Sequence, residues 1–407
     1  MAPPGKARKG RPAATAARVV VKGVGALLDA IGAKEAVREH LLPRLIAAAA
    51  EGKGGRSRGA YRAADEIARG ALEQRLDEIA RTRGPVLVGP WLSEVGFELL
   101  YWVPLLRWAV ERRGLDPRRL VAVSRGGVDA WYRGLCADYV DIFDLLDLAE
   151  WKALSADRWS VMGQKQKFRH ALDEQVIERA CRRLGTADAQ IFHPSLMFNL
   201  FRGFFGGRSP AELLARHSVV APFGESRPLP SGVRLPDEFV AVRFYARPSF
   251  PDTAENREFA SAIVRDIAAR TDVVVCAPDL EIDDHVDFEL PSGPRIHALT
   301  RLAGRVSASE NLGLQDAVLR RSRAFVGTYG GLSYLAPLHG VPAVAFHSAQ
   351  EHFLPVHLAT AQSTFRELGA SFAVLGTRDL DRAGLGPLLP RIASTRASGL
   401  AAEVAAC

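Results

Sequence analysis

The sequence predicts an α/β protein of two Rossmann-like domains facing a cleft, preceded by a basic, partly disordered N-terminal extension. Three observations carry this. Short apolar strands begin to alternate with helical segments near residue 86, a Pro-rich stretch interrupts them at 222–236, and the alternation resumes at residue 239. The expected divisions are an extension over 1–60, a first domain with a helical insertion over 61–230, and a second domain over 231–407.

Taken in order, residues 1–15 are rich in Pro, Gly, Ala and basic groups and are expected to be disordered, and 16–50 suit one or two helices. The GKGGRSRG run at 52–59 is a flexible basic linker, and 62–83 is a helix that stops at Gly84-Pro85. Strands follow at 86–88, 120–123 and 139–143, with helices at 99–113 and 128–138 between them. Residues 150–218 are aromatic and mostly helical, with a turn at His193-Pro194. After the Pro-rich linker, strands are expected at 239–243, 272–276, 324–326, 343–346 and 371–375. Helices are expected at 254–270, 312–321 and 332–338, with a last helix running to about residue 394.

Charge narrows the function classes. The chain has 407 residues, a formal charge of +7 and a pI near 9.4. Residues 1–60 carry 12 basic and 4 acidic groups, whereas the remainder carries 41 and 42. A near-neutral body with a basic arm argues against a nucleic-acid surface and leaves residues 1–60 as a candidate for peripheral contact with anionic membrane. No apolar run approaches a membrane span and no signal peptide is evident, so a cytoplasmic enzyme is expected, placed at the inner membrane face if the arm binds lipid. Cys136, Cys181, Cys276 and Cys407 are far apart, which fits reduced thiols and neither a zinc site nor a disulfide framework. Only 8 lysines stand against 45 arginines, and none follows Lys167. There is no P-loop, and anion binding in the second half is expected to use Arg, backbone amides or helix N-termini.

The segment with the sharpest chemistry is 325–346, FVGTYGGLSYLAPLHGVPAVAF. There an apolar strand runs through Gly327, Thr328, Tyr329, Gly330 and Gly331 into a short helix containing Ser333. Glycines admit a close ligand, the helix start offers unpaired N–H groups, and the hydroxyls add donors, an arrangement suited to a diphosphate. A tight strand–helix turn that needs Gly for geometry is the competing explanation. Arg243 at the end of strand 239–243, with Arg247 in the loop beyond it, would clamp the diphosphate by their planar forks.

This block resembles the donor-binding segment of GT-B glycosyltransferases, in particular the heptosyltransferase-like group, which continues through a Gly-x-Pro (here Gly340-Val341-Pro342) into another strand. The first domain resembles the same group at 89–106, GPWLSEVGFELLYWVPLL, where Glu98 stands six positions before Pro104. The Phe97 between Gly96 and Glu98 departs from that group's pattern. FVAVRFYARPSF at 239–250 is also similar to a fucosyltransferase strand-plus-Arg motif, without its leading His. The resemblance implies a glycosyltransferase acting on a nucleotide-diphosphate sugar, with a hydroxyl of a glycan or lipid-linked molecule as acceptor, as in polysaccharide biosynthesis, and with neither cofactor nor metal.

Sugar transfer needs a base for the acceptor hydroxyl and stabilisation of the departing diphosphate. Glu98 is the preferred base and Glu94 the alternative, while either residue also suits a helix-capping role. His347 and Glu351 would meet the nucleoside or sugar, and Arg125 would line the acceptor side. The acidic run at 281–287 is taken as a charged loop and not a metal site. Phe198, Phe201, Phe204 and Phe205 suit core or an acceptor wall. A 2-epimerase type of nucleotide-sugar enzyme and a non-catalytic nucleotide-sugar-binding scaffold are the competing functions.

Overall fold

The computed structural model describes residues 58–378 apart from 164, 281, 283, 284 and 353. Residues 1–57 of the basic extension, the expected C-terminal helix and three acids of the 281–287 run lie outside the described residues.

Helix α1 (Arg58–Arg81) lays Ala68, Leu72, Leu76 and Ile79 on one buried face, a spacing of three and four that suits a helix packed on one side. It packs against α6 (Ser195–Leu200). The first sheet contains β1 (Val86–Val88), β2 (Leu120–Ser124), β3 (Asp138–Asp141) and β4 (Gln190–Phe192). It is fully parallel, in the order β3-β2-β1-β4. The second sheet contains β5 (Phe239–Arg243), β7 (Asp272–Val275), β9 (Ile296–Ala298), β10 (Ala324–Thr328), β11 (Ala343–His347) and β12 (Phe372–Gly376). Its order is β12-β11-β10-β5-β7-β9, again parallel throughout. Counted within its own domain, that order is the doubly wound 3-2-1-4-5-6, with the reversal between β5 and β10. A short antiparallel pair, β6 (Tyr245–Ala246) with β8 (Val286–Asp287), follows β5. The expected two-domain α/β architecture is therefore observed.

Between β1 and β2, α2 (Val95–Phe97) passes through a π-helical turn (Glu98–Trp102) into α3 (Val103–Arg113). Pro104 explains the widened turn. It has no N–H to offer Leu100, and its ring would crowd that carbonyl, so the Val103 N–H reaches back five residues to Glu98. The insertion supplies α4 (Leu148–Met162), α5 (Ala171–Leu184), α6, α7 (Arg202–Phe205) and α8 (Ala211–Arg216). The second domain adds α9 (Ala254–Ala268), capped by Thr253, α10 (Leu299–Ala303), α11 (Asn311–Arg321), α12 (Gly331–Leu338) and α13 (Pro355–Glu367).

One expectation fails. Residues 128–138 form only a 3₁₀ turn (Asp129–Tyr132), because Gly134 takes a left-handed φ of 77°. The turn's aromatics also go to different partners: Trp131 Nε1 donates to Asp316 and the Tyr132 hydroxyl to Glu98. The region 150–218 is mostly helical as expected, and it also contains β4, which completes the first sheet beside β1.

Candidate active site

The carboxyl ends of both sheets open toward one another. The loop after β2 meets the start of α11, where the Gly313 N–H donates to the Gly126 carbonyl at 2.7 Å. The loop after β1 meets α12. A Cβ built on Gly331 would lie 2.9 Å from Val95 Cβ, and one on Gly96 would lie 3.1 Å from the Tyr334 ring, so the close approach of the domains leaves little room for a side chain at either glycine.

Two cavities share this seam. The smaller, about 60 Å³, is lined by Glu94, Arg125, Arg243, Arg247, His285 and Asn311 among others. The larger, about 300 Å³, is lined by Phe97, Tyr101, Lys165, Tyr329, Tyr334 and His357 among others, and it opens beneath Gly330 and Gly331. Glu94, Gly96, Arg247 and Gly331 belong to both and mark their junction.

The two candidate bases have different settings. Glu94 occupies the N-cap position of α2, yet its side chain makes no capping hydrogen bond. It crosses the seam instead, and Arg247 donates to its Oε1 at 3.1 Å. Glu98 has no exposed surface and lines neither cavity; its Oε1 accepts from Ser124 and Tyr132, both at 2.6 Å. The preference for Glu98 as the base at the cleft therefore does not match its position. The π-turn carries its side chain inward, and proximity to Gly96 in sequence gives no information on that direction. Burial holds the Glu98 carboxyl up at about 7, against the pull of its two hydroxyl donors and Arg125.

That shift predicts a pH dependence. A carboxyl whose folded pKa lies above its unfolded value is penalised once it must ionise, so its contribution falls as pH rises from about 4.5 through 7. Glu98→Gln imitates the protonated form and keeps an oxygen for both hydroxyls. It is expected to match the native protein in urea unfolding at pH 5 and to exceed it at pH 8. Equal stabilities at pH 8 contradict the assignment.

Several residues expected to bind the diphosphate are engaged within the fold. Arg243 is at the strand end as expected, but Asp287 holds it in a bidentate pair at 2.8 and 3.0 Å, and it also donates to Gln315 at 2.9 Å. The Thr328 hydroxyl exchanges hydrogen bonds with the Tyr245 backbone, and that of Ser333 does so with Gly330. Gly327 is needed where β10 touches β5, because a Cβ there would lie 2.1 Å from the Arg243 carbonyl. His347 ends β11, and Glu351 is exposed on a 3₁₀ turn (Gln350–His352); neither lines either of these two cavities. Tyr329, Gly330, Gly331, Arg247, Arg125 and Arg243 line the two cavities. Arg125 is tied to the Ser93 carbonyl at 2.9 Å and lies over the Trp151 ring.

Sequence reasoning missed Lys165, Tyr101 and His357. Lys165 lies in the first half of the chain but faces the second domain's glycine loop, so arginine is not the sole side-chain cation there. Phe198, Phe201 and Phe204 are core, while Phe205 lies half-buried against Lys165 and His357. Among the described residues no three His, Cys, Asp or Glu side chains gather to hold a metal, and no helix is long and apolar enough to cross a membrane.

No family model matches the chain, and no curated protein matches it. Among solved structures it is similar to the glycosyltransferase SnogD from Streptomyces nogalater, at 15% identity over 80% of this chain and 99% of that one, with a TM-score of 0.35. It is also similar to the ADP-heptose LPS heptosyltransferase II of E. coli, at 11% identity over 76% and 98%, with a TM-score of 0.43. A third is the family 9 glycosyl transferase from Veillonella parvula, at 12% identity over 75% and 89%, with a TM-score of 0.37.

Proposed function

We propose that the chain is a metal-independent glycosyltransferase that moves a sugar from a nucleotide-diphosphate sugar to a hydroxyl of a glycan or lipid-linked acceptor. The observation that carries this reading is the Glu94–Arg247 pair at the junction of the two cavities, beside the N-terminus of α12. Both sheets present their switch-point loops there, the usual ligand position in such folds.

The chemistry follows from the pairing. A donor diphosphate at the α12 N-terminus meets unpaired N–H groups and competes with Glu94 for the Arg247 guanidinium. Once exchanged, Glu94 is left to accept the acceptor's hydroxyl proton. The acceptor oxygen then bonds to the anomeric carbon as that carbon's bond to the phosphate oxygen breaks, and the diphosphate leaves against Arg247.

The test is a thermal-shift panel of nucleotide sugars, nucleoside diphosphates and free sugars. A ligand present at about 100 times its Kd stabilises the native state by about 2.7 kcal/mol. One nucleotide-sugar class is expected to raise the Tm by several degrees, its free sugar is expected not to, and EDTA should leave transfer unchanged. A panel with no nucleotide response sinks the proposal. Labelled donor incubated without acceptor separates an epimerase, which would return an isomerised donor.

A further inference from the structure

The larger cavity contains two polar groups for which the fold supplies no partner. Lys165 extends from the first domain's insertion, and its ammonium lies 5.1 Å from the centre of the Phe97 ring and 6.0 Å from that of Phe205. Among the described residues no group hydrogen-bonds to it or pairs with it, and Glu94 acts on it only from longer range. Across the cavity, the Tyr101 hydroxyl meets His357 Nδ1 at 2.6 Å, and His357 Nε2 is buried without a partner. A buried imidazole nitrogen without a partner is costly, and a half-buried ammonium, though attracted to the aromatic rings beneath it, still lacks the anion that would offset its desolvation. Gly330, Gly331 and Arg247 line the same space.

We propose that this cavity is an oxyanion site shared between the domains, in which Lys165 and His357 Nε2 hold the terminal phosphate of a nucleoside diphosphate. The inference rests on the proposed function and adds to it. The second domain has no lysine of its own, since none follows Lys167, and its strand-end Arg243 is committed to Asp287. The phosphate's lysine therefore comes from the opposite domain. The site is complete only with the domains apposed, so a nucleoside without phosphates should not sense Lys165.

The experiment measures calorimetric affinities of ADP, GDP and UDP, and of their nucleosides, for the native chain and for Lys165→Met, Lys165→Arg and His357→Phe. A hydrogen bond to a charged group is worth roughly a tenfold to hundredfold change in affinity. Lys165→Met is expected to weaken the preferred diphosphate by that factor and to reduce its salt dependence, with the nucleoside unaffected and Lys165→Arg within a few-fold of native. His357→Phe is expected to weaken the diphosphate less. Equal losses for diphosphate and nucleoside would mean that Lys165 only supports the fold, and no loss for either would mean that the phosphate lies elsewhere; each overturns the inference alone. If no nucleoside diphosphate binds the native chain, the inference and the proposed function fall together.

Discussion

Glu94→Gln is expected to lower sugar transfer by about 10²–10⁴-fold, the usual contribution of a positioned general base. The substitution keeps the side chain's shape and its oxygen toward Arg247, and it removes the capacity to take a proton. Its effect on folding is expected to be small. The ion pair it alters is partly solvent-exposed on both partners, and such pairs contribute about 0–1 kcal/mol. Donor affinity should hold or rise, because the diphosphate no longer competes with a carboxylate for Arg247. Loss of turnover with retained donor binding and retained Tm is thus the combination that identifies Glu94 as the base. The parallel Glu98→Gln variant should keep most of its activity, since that carboxyl is closed off by Ser124 and Tyr132. Turnover of Glu94→Gln within twofold of native, or a larger loss in Glu98→Gln, reverses the assignment.

The contrast between these two glutamates shows where the sequence stops being legible. Strands β1 and β5 are evident residue for residue, because each is a short, mostly apolar run containing valines and set off by Gly, Pro or charged residues. The glycine loop is equally legible as a strand–turn–helix. What it cannot show is that the Thr328 hydroxyl is spent on the chain itself, since its partner is Tyr245, more than 80 residues away. Strand β4 escapes notice because its three residues follow a long helical insertion and pair with a strand about a hundred residues earlier. Lys165 escapes for a related reason: counting lysines by domain assumes that each domain builds its own site, whereas this cavity takes side chains from both. Where a residue's place depends on apolar periodicity or turn composition, the sequence carries it. Where it depends on which elements meet across the seam, only the tertiary structure does.

Gly327→Ala tests how far the glycine loop serves the fold and not the ligand. Gly327 pairs with Arg243 in the parallel register of β10 on β5, in the middle of the second sheet. A methyl group there would lie 2.1 Å from the Arg243 carbonyl oxygen, 3.0 Å from its carbonyl carbon and 2.9 Å from Phe325 Cζ. The phenyl ring is itself fully buried, and the carbonyl belongs to the last residue of β5, a strand paired on both sides. Neither neighbour can yield cheaply, so the cost is expected at or above the ~1–3 kcal/mol usual for overpacking a core. Relief would have to come from parting β10 and β5, which also displaces Arg243 and the start of α12, so anion binding should weaken along with stability. Gly70→Ala is the matched control. It lies on the exposed face of α1 with nothing within 4 Å of the added carbon, and is expected to stabilise by about 1 kcal/mol because Ala favours a helix over Gly. Urea unfolding of the two variants should therefore move in opposite directions. A Gly327→Ala protein as stable as the native chain would show that the strands are not in the close contact that places Arg243 beside the loop.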